Sequence, residues 1–173
     1  MDVFCYQTPE GFNDLLIYTD GKVLTGLLFA GSRDESNVVE MRRATSLPTI
    51  IHETCRWLDI YFSGSQPDFT PAYRMEGLTP FRKTVLNIVN EIPFGHTMTY
   101  GEIAKRIVET FPETSPRPRK MSAQAVGGAV GWNPICLIVP CHRVIGANGN
   151  LTGYGGGLHN KTALLKLEGS LMH

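Results

Sequence analysis

The chain has no excess of either charge: 16 Lys and Arg stand against 16 Asp and Glu in 173 residues. That argues against a broadly basic nucleic-acid binder and leaves room only for a local basic patch. Long apolar runs are missing, so no segment reads as a membrane span. The first residues lack the charged-then-apolar pattern of a secretory signal. Cysteine is scarce, and Cys5, Cys55, Cys136 and Cys141 show no spacing suited to a disulfide framework or a zinc site. There is no internal repeat. These absences point to a soluble protein of a reducing compartment, expected in the cytoplasm, or in the nucleus of a eukaryote, with no metal and no cofactor.

Apolar residues make up 42% of the chain, enough to bury a core in one large domain or two small ones. Two parts are legible, residues 1–77 and 78–173. In the first, Asp14 to Thr19 and Val23 to Ala30 are strand-like runs joined by Asp20-Gly21-Lys22, a hairpin signal. Pro48 opens a helix on which Ile51, Thr54, Cys55, Leu58 and Phe62 recur at helical spacing. Ser63 to Pro71 suits a linker. In the second, Thr79-Pro80 starts a helix with Phe81, Val85, Ile88, Val89 and Ile92 on one face. Thr99 and Glu102 make a capping box for the next helix. Phe111 to Lys120 holds three prolines with Arg117, Arg119 and Lys120, and predicts a basic loop. Ser122 caps a helix over Ala123 to Val130, Cys136 to Val139 predicts a short buried strand, and Gly169 stops a last helix over Thr162 to Glu168.

The run Ile138-Val139-Pro140-Cys141-His142-Arg143 carries the chemistry. It sets a potential nucleophile beside a potential base. A free thiol near pKa ~8.5 is only a few per cent ionised at neutral pH, and a neighbouring imidazole can take its proton. A tight Pro-Cys turn after an apolar run is expected to present the sulfur at a surface. The helix before it, Ala123 to Val130, has almost no bulk. Paired glycines inside a helix cost about 1 kcal/mol each relative to alanine. Gly127 and Gly128 therefore mark either tight packing on a neighbouring helix or a nucleic-acid backbone lying close.

Pro140-Cys141-His142-Arg143-Val144-Ile145 resembles the active-site motif of the O6-alkylguanine-DNA alkyltransferases. The resemblance continues through Ile92-Pro93-Phe94-Gly95, Thr99-Tyr100-Gly101-Glu102, Ala125-Val126-Gly127-Gly128-Ala129, Asn133-Pro134 and Gly153-Tyr154-Gly155-Gly156-Gly157 to Leu164–Gly169. It covers residues 78 to 169; the first 77 match in outline, chiefly at Tyr61-Phe62-x-Gly64. It implies an α+β fold, with a ribonuclease-H-like sheet-and-helix domain followed by a helical winged-helix or helix-turn-helix DNA-binding domain.

The implied reaction moves a methyl or other alkyl group from O6 of guanine, with O4 of thymine a further target, onto Cys141, once per molecule. The implied partner is double-stranded DNA carrying O6-alkylguanine, bound by a monomer that flips the nucleotide out from the minor groove. His142 would act as base through water, Glu168 would polarise it, Asn133 would brace the loop, and Tyr100 would protonate the departing base. The implied DNA and base contacts are Ala123, Gln124, Ala125, Gly127, Gly128, Arg143, Val144, Tyr154 and Gly155. Two positions depart from the family pattern: Gln124 stands where an arginine normally fills the gap in the stack, and Gly155 where many relatives have serine. Gln124 has no charge and a shorter reach, which implies a weaker grip on DNA or slower flipping. The alternative readings are a non-catalytic sensor of alkylated DNA, whose relatives replace the cysteine, and a cysteine hydrolase. Trp57, Trp132 and Cys136 read as packing residues, and His52, His96 and His159 as surface or packing residues.

Overall fold

The computed structural model describes residues 2–31, 38–39, 46–110 and 121–171. An aspartate and a glycine make its first hairpin. Asp20 Oδ1 accepts the N–H groups of Lys22 and Val23 at 2.9 and 3.0 Å, the local bonding that makes Asp a turn residue. The turn joins β2 (Leu15–Thr19) and β3 (Leu24–Phe29) as the antiparallel pair the sequence predicts. β1 (Asp2–Tyr6) lies antiparallel to β2, and β4 (Val38–Val39) parallel to β1, giving the order β3-β2-β1-β4. Neither strand is among those the sequence predicts, and β4, at two residues, is too short for periodicity to announce it. Every residue of β2 is buried, so both faces of the sheet's centre are covered.

The helix after Pro48, α1 (Thr49–Phe62), buries Ile50, Ile51, Thr54, Trp57, Leu58 and Tyr61. The buried face is thus turned toward Trp57 and Tyr61, leaving Cys55 and Phe62 half-buried at its edge. The outer edge of β3 is covered twice. The chain beyond the expected linker bonds to Leu24 (Leu24 N–H to Ala72 O, 2.9 Å; Arg74 N–H to Leu24 O, 2.8 Å). Further on, Leu27 donates to Pro134 O and accepts from Cys136 N, both at 2.8 Å.

Three helices follow, each opened by its expected cap. Thr79 Oγ1 accepts Arg82 N–H at 3.3 Å to begin α2 (Pro80–Val89). Thr99 and Glu102 exchange bonds of 3.0 Å in a reciprocal capping box at the start of α3 (Tyr100–Thr110). Ser122 Oγ accepts Ala125 N–H at 3.0 Å to begin α4 (Ala123–Val130). The three pack on one another. The predicted basic loop, with Arg117, Arg119 and Lys120, lies outside the described residues. A second small sheet pairs β5 (Met98–Thr99) with β6 (Val144–Ile145) in parallel. The last helix, α5 (Leu158–Leu167), begins earlier than predicted and ends at Glu168, followed by Gly169 at φ +79°.

The predicted strand over Cys136–Val139 is not one. The segment is buried but closes into a turn, with Val139 N–H bonded to Ile135 O at 3.0 Å and Leu137 at φ +67°. Asn133 forces the closure, as described below. The fold is mixed α and β, with one continuous buried cluster running from Val3 to Leu164 across both halves. Among the described residues no helix is long and apolar enough to cross a membrane, and no group of three His, Cys, Asp or Glu side chains could hold a metal ion.

Candidate active site

Asn133 shapes the turn that carries the cysteine. Its Nδ2 donates to Val139 O at 2.8 Å while its Oδ1 accepts Ile135 N–H at 3.0 Å. The two bonds fold the apolar run back on itself. Pro140 then leads into a single 3-10 turn, Cys141–Arg143. This sets the sulfur inside the protein: Cys141 is 4% exposed, not presented at the outer surface as the sequence suggests. It opens onto a cavity of about 630 Å³, within the range of roughly 300–1,000 Å³ typical of small-molecule pockets.

The cavity lies between α4, the glycine-rich segment after β6, and the end of β3. Of the expected site residues, Tyr100, Ala123, Gln124, Gly127, Asn133, Cys141, Tyr154 and Gly155 line it. Ala125 and Gly128 do not, but both are exposed on α4. A side chain at Gly128 would meet nothing within 4 Å, and one at Gly127 only the Tyr100 ring at 3.6 Å. No neighbouring helix in the described protein claims Gly128, which leaves it open to an external backbone. Gly156 holds the loop over the cavity. A Cβ there would stand 2.6 Å from the Phe29 ring, so only glycine lets the segment close on β3.

The residue after the cysteine belongs to a buried polar cluster. His142 Nε2 is 2.8 Å from Glu168 Oε1. A carboxylate only accepts, which assigns the proton to Nε2 and leaves Nδ1 as the basic nitrogen. Nδ1 is buried with no protein partner. Burial pulls the imidazole below its ordinary pKa of 6.5, against the pull of Glu168, so it is neutral and able to accept a proton at neutral pH. Burial alone would raise Glu168, but hydrogen bonds from His142 and Arg143, with the Arg143 charge, overcome it and hold the carboxyl down at about 2.

Cys141 itself is pulled down from 9.0 to about 7. The Cys136 thiol contributes most; burial opposes; Asn133, Tyr154 and the charge of Lys161 add to the shift. The Tyr154 phenol moves the other way, raised by burial and by the neighbouring thiolate charge. Burial likewise raises the Tyr100 phenol, keeping it a donor at neutral pH; its hydroxyl lies 3.5 Å from Thr152 O.

One expectation is corrected. Arg143 does not line the cavity. Its guanidinium is buried, donating to both Glu168 oxygens at 2.9–3.2 Å and to Ile92 O at 2.7 Å. The carboxylate and a free carbonyl inside the protein outcompete any external anion. The Val144 carbonyl, expected to meet a base, accepts Lys161 Nζ at 2.6 Å, which leaves its second lone pair free for that contact.

Three residues join the site without having been singled out for it. Lys161 is fully buried and also reaches Thr152 O at 3.3 Å. Tyr61, 107 positions from Glu168, donates to its Oε1 at 2.7 Å. Cys136 lines the same cavity as Cys141. Tyr61 lay inside a quoted motif; Lys161 and Cys136 gave no signal beyond a helix cation and an apolar run. Trp132, read as a packing residue, is instead exposed beneath Arg82.

Known proteins resemble this chain in sequence and in fold. Residues 80–170 match the family model of the 6-O-methylguanine DNA methyltransferase DNA-binding domain. A methylated-DNA–protein-cysteine methyltransferase of Methanosarcina acetivorans is 52% identical over 118 residues, 68% of this chain and 69% of that protein. One of Mycobacterium leprae is 38% identical over 168 residues, 96% and 92% of the two chains. The crystal structure of Mycobacterium tuberculosis OGT in complex with DNA superposes with a TM-score of 0.77 at 35% identity, over 98% of this chain and 94% of that one. With the match extending over more than half its length and including the Cys141 turn, the chain belongs to the 6-O-methylguanine DNA methyltransferase family.

Proposed function

We infer that this protein repairs alkylated DNA by moving the alkyl group from O6 of guanine to Cys141, and that each molecule reacts once. The observation that carries the reading is the buried Cys141 at the wall of a base-sized cavity, backed by a neutral His142 fixed by Glu168. His142 Nδ1 takes the thiol proton through water. The thiolate attacks the alkyl carbon, an S–C bond forms, and the C–O bond breaks with its electron pair leaving on guanine. Tyr100 donates a proton to the departing base, which offsets the charge developing there. The product is a thioether, and its C–S bond offers water no good leaving group, so the thiol is not regenerated.

The substrate is double-stranded DNA, met by a monomer in the cytoplasm or nucleus, with the damaged nucleotide rotated into the cavity. Ala123, Gln124, Ala125, Gly127 and Gly128 form the α4 surface that lies against the DNA, and Gly155 N–H reaches O6. We read residues 1–77 as a ribonuclease-H-like domain, on the strand order β3-β2-β1-β4 with α1. We read residues 78–173 as a winged-helix DNA-binding domain, on α2–α4 with β5 and β6. The intact cysteine and the relatives' shared activity favour transfer over mere damage sensing.

Incubation with an O6-methylguanine duplex, followed by peptide mass spectrometry, is expected to place one methyl group per chain on the Cys141 peptide. Cys141→Ser is expected to leave the lesion in place. Binding without an adduct, or lesion removal by the serine variant, would overturn the reading.

A further inference from the structure

Trp132 is 53% exposed, whereas Trp57 is 7% exposed. Among the described residues only Leu158 is a comparably exposed large apolar side chain. The Arg82 guanidinium lies over the Trp132 ring, 3.9 Å from its centroid, and makes no ion pair among the described residues. Lys83, next to it, is exposed, and the first turn of α2 has no acidic residue. Trp132 also stands between Gly131 and Asn133, both of which line the cavity. The pair therefore sits at the rim of the site, beside an α4 that carries no charge of its own.

We propose that Arg82 and Trp132 together grip the sugar-phosphate backbone of the DNA beside the flipped nucleotide, the indole against a deoxyribose and the guanidinium on the adjoining phosphate. The proposal rests on the transfer reading and adds to it a contact outside the cavity. A guanidinium held over the indole by its charge keeps N–H groups for a phosphate, which it can meet with two parallel bonds. Covering the indole removes apolar surface from water. The cation supplies, at the C-terminal end of α4, the positive charge that Gln124 does not supply at the other end.

The test uses two probes. Binding is read on an undamaged fluorescent duplex across a salt series, and transfer on free O6-benzylguanine, which needs only the cavity. Trp132→Ala and Arg82→Ala are each expected to weaken duplex binding by about tenfold, and Arg82→Ala to flatten the salt dependence by about one phosphate contact. Transfer from the free base is expected to stay at the wild-type rate in both, which also reports that the variants are folded. Wild-type duplex affinity and salt slope in both variants would overturn the proposal. So would an equal loss with the free base, because the pair would then be supporting the cavity. Failure of the wild-type protein to take the alkyl group while still binding duplex would count against the transfer reading alone.

Discussion

Cys136 differs from Cys141 in consequence although both are buried thiols lining the same cavity. Its S–H is the largest contribution to the acidity of Cys141, ahead of Asn133, Tyr154 and Lys161. The sign follows from the chemistry: a donor stabilises thiolate over thiol, so the reactive form gains as pH rises through about 7. The rate of alkyl transfer from free O6-benzylguanine is expected to rise about tenfold per pH unit below that point and to level off above it. Cys136→Ala, which removes the donor, is expected to move the inflection upward, whereas Cys136→Ser keeps a donor and stays near the wild type. Pre-steady-state rates from pH 5 to pH 9 check both. An inflection unmoved in the alanine variant would show that the thiol is only packing. Cys141 and His142 were legible as an adjacent thiol and imidazole, whereas Asn133 and Tyr100, in separate motifs, were named only through the family resemblance. Cys136, Tyr61 and Lys161 were not legible, because each acts through tertiary contact and looks in sequence like an ordinary core or surface residue.

Helices with local signals came out as read, since caps are short-range chemistry. Thr79, the Thr99–Glu102 box and Ser122 all bond the N–H groups their spacing predicts. The segment 133–139 defeated the same logic. Its Ile, Leu and Val residues have strand propensity, but two side-chain bonds from Asn133 impose a turn instead, and propensity yields to tertiary context. On α4 local helix stability and the proposed DNA contact oppose one another. Gly128 has ordinary helical φ and open space around it, so nothing in the fold requires glycine there. Gly128→Ala is therefore expected to stabilise the protein by roughly 0.5–1 kcal/mol, read as a higher urea midpoint. Affinity for duplex DNA is expected to fall in the same variant, because a methyl group now holds off the backbone. A gain in stability with undiminished binding would place the DNA elsewhere on the helix.

Among the long-range links by which the first 77 residues take part in the site, two hold the cysteine's turn and the Glu168 cluster. The edge of β3 anchors Pro134 and Cys136, and Tyr61 on α1 bonds Glu168 at the end of α5. Glu168 thus collects Tyr61, His142 and Arg143 in one buried cluster. Gly95, at φ +81° with the Glu168 carbonyl 3.3 Å from where its Cβ would be, lets the Pro93–Gly95 turn close over that end. The cluster makes stability depend on acid in a definite direction. Glu168 is held at about 2 against an ordinary 4.5, so its contribution is complete above 4.5 and is lost as pH falls from there toward 2. His142, held below 6.5, acts in the same sense at higher pH, because only the unfolded chain readily binds its proton. Tyr61→Phe removes one bond to the carboxylate and is expected to cost about 1.5–3 kcal/mol at neutral pH. Glu168→Gln leaves Arg143 buried without a counter-charge and is expected to cost about 3–5 kcal/mol. Urea unfolding from pH 7 to pH 2 distinguishes the electrostatic account from simple packing: the wild-type midpoint falls steeply below pH 4.5, and the glutamine variant, already weak, falls much less. Parallel curves for the two proteins would mean that Glu168 is not the group through which acid unfolds this molecule.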